Sequence, residues 1–217
     1  MRLRIKFAKR GEGRFLSQLE VMRAFQRAAR RADLPLALSQ GFNPHPRISF
    51  GPALAVGLES EAEYLDLELA EPMEAREVLK ALAGQLPLGL EVLTIRALSP
   101  GEPTLGEAVR CAAYRVEVEG LPPGELRQRL DALLAQEKAI ICRRTKEGPR
   151  QVDIRPGIYR VDLEGPHTLD MLLACGPQGT VRPEEVVMAL DPRLTVKHAR
   201  RTGLYTGCEG KSAAPLD

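Results

Sequence analysis

Residues 2–31 read RLRIKFAKRGEGRFLSQLEVMRAFQRAARR, and two different periods within them set the fold class. Over residues 2–9, Leu3, Ile5 and Phe7 alternate with Arg2, Arg4 and Lys6. A period of two with one apolar and one basic face predicts a half-buried strand. KRGEGR then reads as a turn. Ser17, with Glu20 three residues on, offers a capping box: the hydroxyl accepts from the backbone at Glu20 while the carboxylate reaches back. Beyond it Leu19, Met22, Phe25, Ala28 or Ala29, and Ala32 recur at helical spacing and are expected to face the core. Arg23, Arg27, Arg30 and Arg31 fall at i, i+4, i+7 and i+8 and make a basic stripe on the other side. The helix is expected to end before Pro35.

Outward from this pair the same alternation continues. RISFGPALAVGL (47–58) reads as a strand with a Gly-Pro break, and AEYLDLELA (62–70) as its neighbour across the tight link ESE. PMEAREVLKALAGQLP predicts a helix from Pro72 to near Gly84, and LEVLTIRAL a closing strand. The order strand, helix, strand, strand, helix, strand is that of a split βαβ, ferredoxin-like unit. SPGEPTLGEA (99–108) is rich in Pro and Gly and reads as a linker. The pattern then restarts: AAYRVEVEG as a strand and PPGELRQRLDALLAQ as a helix with apolar Leu126, Leu130, Leu133 and Leu134. KAIICRRT and GIYRVDLEG read as strands joined by the basic loop KEGPRQVDIRP, followed by the strand TLDMLLACG, the helix RPEEVVMALD and the strand LTVKHARRTGLYTG. The expectation is an α+β protein of two ferredoxin-like units, read as a duplication whose second half carries one extra strand. It comprises an N-terminal unit with a basic helix (1–98), the linker (99–108), a C-terminal unit (109–205) and a flexible tail (206–217).

Apolar residues make up 44% and charged residues 28% of the 217, an ordinary balance for a chain with a sizeable core. No apolar run reaches the ~18 residues of a membrane span, and the first residues lack the apolar stretch of a signal peptide. No membrane association and a cytoplasmic location are expected. Cys111, Cys142, Cys175 and Cys208 form no C-x-x-C pair, which argues against a zinc knuckle or an iron–sulfur cluster held by this chain alone. No metal and no cofactor are expected, and the thiols are expected to be reduced.

The net charge of +2 hides a segregation. Residues 1–50 carry eleven Lys or Arg against three Asp or Glu, net +8, whereas residues 51–140 are net −8. A basic opening segment suits a polyanion, or the acidic middle of the chain itself.

Three stretches are rich enough in polar groups to form a site. The first is GFNPHPR: prolines after Asn43 and His45 push both residues towards extended conformations and leave little entropy to lose on binding. Arg47 is suited to fork onto phosphate or carboxylate, Gln40 and Asn43 to read a base edge, and His45 to bind phosphate or act as acid or base. The second is CRRTKEGPRQVDIRP, where Arg143, Arg144, Lys146, Arg150 and Arg155 are suited to phosphates and Asp153 to orienting Arg155. The third, Lys197, His198, Arg200 and Arg201, is weaker. Aromatics are only 4% with no Trp, and Phe7 is placed inward, so base stacking on an open sheet is not supported; contact through a basic helix and loops is. No Walker loop, G-x-G-x-x-G, H-E-x-x-H or G-x-S-x-G is present.

SQGFNPHPRISFGPALAVGLES and KEGPRQVDIRP resemble the two hallmark stretches of the radical SAM-linked proteins, a bacterial family, and the likeness runs over roughly residues 2–205. Members of that family are fused behind a radical S-adenosylmethionine enzyme or encoded beside one, often near an RNase of the E/G type and ribosomal protein genes. The resemblance implies a radical S-adenosylmethionine enzyme as partner and an RNA context, without catalytic residues. The doubled unit also resembles, in architecture alone, CRISPR repeat-processing endoribonucleases, whose glycine-rich C-terminal loop this chain lacks. The leading expectation is an accessory module, not itself an enzyme, that binds RNA and presents it to its partner. The alternatives are an RNA-acting, endoribonuclease-like enzyme with His45 as acid or base, and a subunit that only docks onto proteins.

Overall fold

The computed structural model describes residues 1–145, 147–208 and 213–216. The chain divides into two compact units. The first holds Met1–Val109 and Gly203–Thr206 with the described end of the chain; the second holds Arg110–Thr202 with residues 207–208. Both are mixed α+β with antiparallel strand pairs.

In the first unit the elements run β1 (Arg2–Lys9), α1 (Gln18–Arg31), β2 (Ile48–Phe50), β3 (Glu59–Glu68), α2 (Ala75–Leu82) and β4 (Leu90–Ala97), then a single turn of helix, α3 (Leu105–Ala108). β1 lies between β3 and β4, and β2 pairs with β3, so the strands stand in the order β4-β1-β3-β2. Leu3, Ile5 and Phe7 of β1 meet Phe25, Ala28 and Ala29 of α1, Val78 and Leu82 of α2, and Leu65 and Leu67 of β3 in one core. Phe7 and Phe25 within it and the half-buried Phe50 against it stack edge to face, with centroids 4.8, 6.2 and 6.1 Å apart. Gly13 and Gly89 pack backbone to backbone: a Cβ on either would strike the other's main chain.

The Ser17–Glu20 capping box forms as expected, but the helix it opens is rotated from the expected face. The buried residues are Val21, Ala24, Phe25, Ala28 and Ala29; Leu19 is 48% exposed and Met22 and Ala32 are half-buried. At about 100° per residue, Leu19 stands opposite Val21, on the arginine side. Ala24 and Ala28 share the buried face with Val21 and Phe25, a face that Leu19 and Met22 masked in the sequence.

β1 also departs from the half-buried reading, because Arg4 is buried at 3%. Its guanidinium is bidentate to Asp66, its partner in register on β3, and donates to the carbonyls of Pro103 and Pro215. Of the apolar run 47–58 only Ile48–Phe50 is strand. Residues 53–58 leave the sheet after Pro52, Gly57 N donates to the Arg14 carbonyl at 2.8 Å, and Glu59–Glu61 begin β3 rather than linking two strands. The Pro/Gly-rich linker ends in α3, opened by a Thr104–Glu107 capping box.

The second unit runs β5 (Cys111–Glu119), α4 (Pro123–Ala135), β6 (Ile140–Thr145), β7 (Gly148–Asp153), β8 (Ile158–Leu163), β9 (Thr168–Gly176), β10 (Gly179–Thr180), α5 (Pro183–Leu190) and β11 (Thr195–Tyr205), whose last residues are counted with the first unit. Its sheet runs β8-β9-β5-β11, with β10 pairing the end of β9. The stretch expected as a basic loop is instead the second strand of a hairpin, with Arg143 opposite Arg150 and Arg144 opposite Pro149. The second unit therefore gains a hairpin and a two-residue strand, not one strand. No helix of the described residues is long and apolar enough to cross a membrane.

Candidate nucleic-acid interface

The rotation of α1 determines what its arginines do. With Val21, Ala24 and Ala28 inward, Arg23, Arg27 and Arg30 all point to solvent within an arc of about 60°. At 1.5 Å per residue they are spread along about 10 Å of helix. None of the three side chains has a hydrogen bond or ion pair among the described residues. The nearest acid on the helix, Glu20, is held by Ser17 through its hydroxyl and backbone N–H, each at 2.7 Å. Those hydrogen bonds, and the charge of Arg23, hold its carboxyl below the usual range. Arg31 is spent internally, donating to the side chain and carbonyl of Gln85. What remains is a line of three cations on a rigid element, none in an ion pair among the described residues, with Glu20 the one acid on the helix near Arg23.

The chain between α1 and β2 is a narrow, pinned loop. Ser39 N donates to the His45 carbonyl at 2.8 Å, His45 N donates back to Ser39 Oγ at 3.0 Å, and Arg47 N donates to the Ala37 carbonyl at 2.9 Å. Leu38 and Pro46 form a bridge below this neck. Gly41 turns the tip at φ 131°, a conformation that a Cβ would strain. Gln40, Asn43 and His45 are exposed, and their side chains have no hydrogen-bond partner among the described residues. Arg47 is committed to Glu68 at 2.9 Å, bracing the neck on β3. At the tip stands Phe42, 106% exposed. Burying a Phe side chain is worth about 1.5–3 kcal/mol, which this loop forgoes. The sequence reading passed over Phe42; its signal was an aromatic between Gly41 and Asn43-Pro44 with no apolar partner at strand or helix spacing.

In the second unit the predicted cations separate into two kinds. Arg143 is bidentate to Glu185 at 2.7 and 2.8 Å and also donates to the Thr180 carbonyl, so it anchors the hairpin to the start of α5. Arg144 and Arg150 are exposed and without partners among the described residues; Lys146 lies outside the described residues. Asp153 does not orient the Arg155 guanidinium. Its carboxylate accepts from the backbone N–H groups of Ala139 and Arg155 at 2.9 and 3.0 Å, which hold it below the usual range. The Arg155 guanidinium donates to the carbonyls of Leu134, Gln136 and Ile158 and so closes the C-terminal end of α4. Lys197 pairs with Glu119 at 2.7 Å, and Arg201, 2% exposed, donates to the Tyr114 hydroxyl.

Of the histidines, His167 is tied to the Leu121 carbonyl at 3.0 Å. Cys111 is buried and its thiol donates to the Gly207 carbonyl; burial, with Cys208 and Cys175 beside it, pushes that thiol far up. Among the described residues no group of three or more His, Cys, Asp or Glu side chains is placed to hold a metal ion.

An α+β protein of two units, with an arginine-lined helix and an aromatic-tipped loop, is the class these observations define. A family model described as "Uncharacterized protein conserved in bacteria (DUF2344)" matches residues 2–183, and the chain belongs to that family. None of the curated proteins matches the sequence. Among solved structures, a chain in the crystal structure of a Cbf5-Nop10-Gar1 complex is similar at 13% identity and a TM-score of 0.52, over 93% of this chain and 48% of that one. The protein thus spans about half the length of that chain, and the likeness is one of fold.

Proposed function

We propose that this protein is a cytoplasmic accessory module that binds RNA and presents it to a radical S-adenosylmethionine enzyme. The observation that carries the RNA half is the row Arg23, Arg27 and Arg30, exposed on one face of α1 and in no ion pair among the described residues. Cations fixed on a helix bind a phosphate backbone without reading sequence. Arg144 and Arg150 offer a second pair of phosphate contacts on the β6–β7 hairpin. The partner half rests on the resemblance of SQGFNPHPRISFGPALAVGLES and KEGPRQVDIRP to the radical SAM-linked proteins.

Each unit is, in this reading, a ferredoxin-like split βαβ, and the two are a duplication. Support comes from strand order: β4-β1-β3-β2 in the first unit and β11-β5-β9-β8 in the second, with the helices α1 and α2, and α4 and α5, at equivalent places in the chain. The second hallmark stretch then lies in the connection from first helix to second strand, and the first begins in the equivalent connection and runs on through β2 into β3. The duplication would thus have diverged most where it meets its ligands.

The test is a pull-down of the full chain from its host, with sequencing of bound RNA and identification of bound protein. RNA together with a radical S-adenosylmethionine enzyme is the expected outcome. Protein without RNA would leave a docking subunit instead. The exposed, unpartnered ring of His45 favours one second reading, an RNA-cleaving enzyme with His45 as acid or base. RNA cleavage lost in His45→Ala would establish it, and turnover unchanged by that substitution would dismiss it.

A further inference from the structure

We propose that the Ser39–His45 loop takes an unpaired nucleobase, stacked on Phe42 and hydrogen-bonded at its edge by Gln40 and Asn43, so that the substrate class is single-stranded RNA. The proposal rests on the RNA reading of α1 and narrows it.

The five phenylalanines make the case by contrast. Phe7, Phe25 and Phe50 form the edge-to-face core, and Phe15 carries the Arg14 guanidinium over its ring at 4.8 Å. Phe42 alone has neither ring nor cation against it among the described residues. Its loop is nevertheless not slack. The neck is closed by the reciprocal Ser39–His45 bonds and the Arg47–Ala37 bond, and two prolines stiffen the outgoing arm. A pinned loop that holds an aromatic in water is pre-organised for a flat partner, since little entropy is lost when the partner arrives.

Three features favour a base over an apolar protein groove. The side chains flanking the ring are amides and an imidazole, suited to the donors and acceptors of a base edge. Residues 34–58 contain no Asp or Glu, so nothing on this stretch repels a phosphate. The loop also follows directly from the helix that carries Arg23, Arg27 and Arg30. Cations that track a strand beside an aromatic on which its bases stack are the usual means of gripping single strands. A duplex keeps its bases stacked on each other and offers Phe42 no face.

Because the chain has no Trp, Phe42→Trp places a single tryptophan at the tip, excited apart from the tyrosines at long wavelength. Titration of that variant with oligouridine of about a dozen nucleotides is expected to quench its emission, whereas the same strand paired with oligoadenosine is not. Phe42→Ala, exposed and outside every core contact, is expected to fold as the parent by circular dichroism. It should bind the single strand roughly 5- to 100-fold more weakly, with the salt dependence unchanged. Equal affinity in Phe42→Ala, or equal quenching by duplex, overturns the proposal and leaves the phosphate-binding role of α1 standing. No binding of oligouridine by the parent overturns both. Loss of a co-purifying protein in Phe42→Ala with RNA binding intact overturns it in favour of a protein contact.

Discussion

Asp66→Ala strikes the buried charge pair of the first unit. The carboxylate accepts from Arg4 Nε at 2.7 Å and Nη2 at 2.9 Å, and the two side chains are 4% and 3% exposed. Without it, Arg4 keeps its charge out of water with the Pro103 and Pro215 carbonyls as partners, at 2.9 and 3.2 Å. Removing one member of a buried pair costs about 3–5 kcal/mol, mostly because the other is left uncompensated. At roughly 2–4 °C per kcal/mol for a chain of this size, Tm should fall by roughly 6–20 °C. Arg4→Met/Asp66→Leu removes both charges at once and should recover most of the loss, because an apolar pair of similar volume is often neutral or better. Urea unfolding of the parent, Arg4→Met, Asp66→Leu and the double variant measures the coupling directly. A stability for Asp66→Ala within about 1 kcal/mol of the parent would refute the reasoning, since it would mean that Arg4 finds water or another anion at no cost.

The remaining predictions concern the second unit. Asp191 accepts from Arg193 through its backbone N–H, Nε and Nη2 at 2.9, 3.0 and 2.9 Å, which holds its carboxyl down to about 2. A depressed carboxylate contributes stability that is full above its ordinary value of 3.8 and is lost as pH falls towards about 2. The urea midpoint of the parent should therefore drop more steeply over that interval than that of Asp191→Asn, and parallel curves would count against the assignment. Cys142 is exposed on β6 whereas Cys111 is buried with its thiol pushed up, so iodoacetamide should modify Cys142 first and Cys111 only on unfolding. Equal rates would show that the Cys111 environment opens in the native state.

The sequence carried the elements better than their surroundings. The alternation in RLRIKFAK and the Ser17–Glu20 box predict β1 and the start of α1, because both depend on neighbours within a few residues. The core face of α1 was less legible, since Leu19 and Met22 fit one face and Val21 and Ala24 another, and only packing in the folded unit decides between them. Burial of Arg4 depends on carbonyls at residues 103 and 215, which no local pattern reveals. β6 was legible as a strand, but the stretch that forms β7 reads as a loop because its charges suit both, and only its pairing with β6, Arg150 opposite Arg143, makes it a strand. In the candidate site, the arginine stripe was plain from spacing. That Asp153 and Arg155 serve backbone groups while Phe42 stands in water was not, because Ala139 and Leu134, 14 and 21 residues away, are among the partners that determine the first, and the absence of partners among the described residues the second.

The central claim is that α1 holds RNA by its phosphates, and the salt dependence of binding tests it most directly. Affinity for single-stranded oligouridine, measured across a range of KCl for the parent and for Arg23→Gln/Arg27→Gln/Arg30→Gln, gives the slope of log K against log salt. Each phosphate contact on a single strand contributes about 0.7 to that slope, so losing three should flatten it by about 2 and weaken binding alike for every sequence. An unchanged slope and affinity in the triple variant would contradict the account.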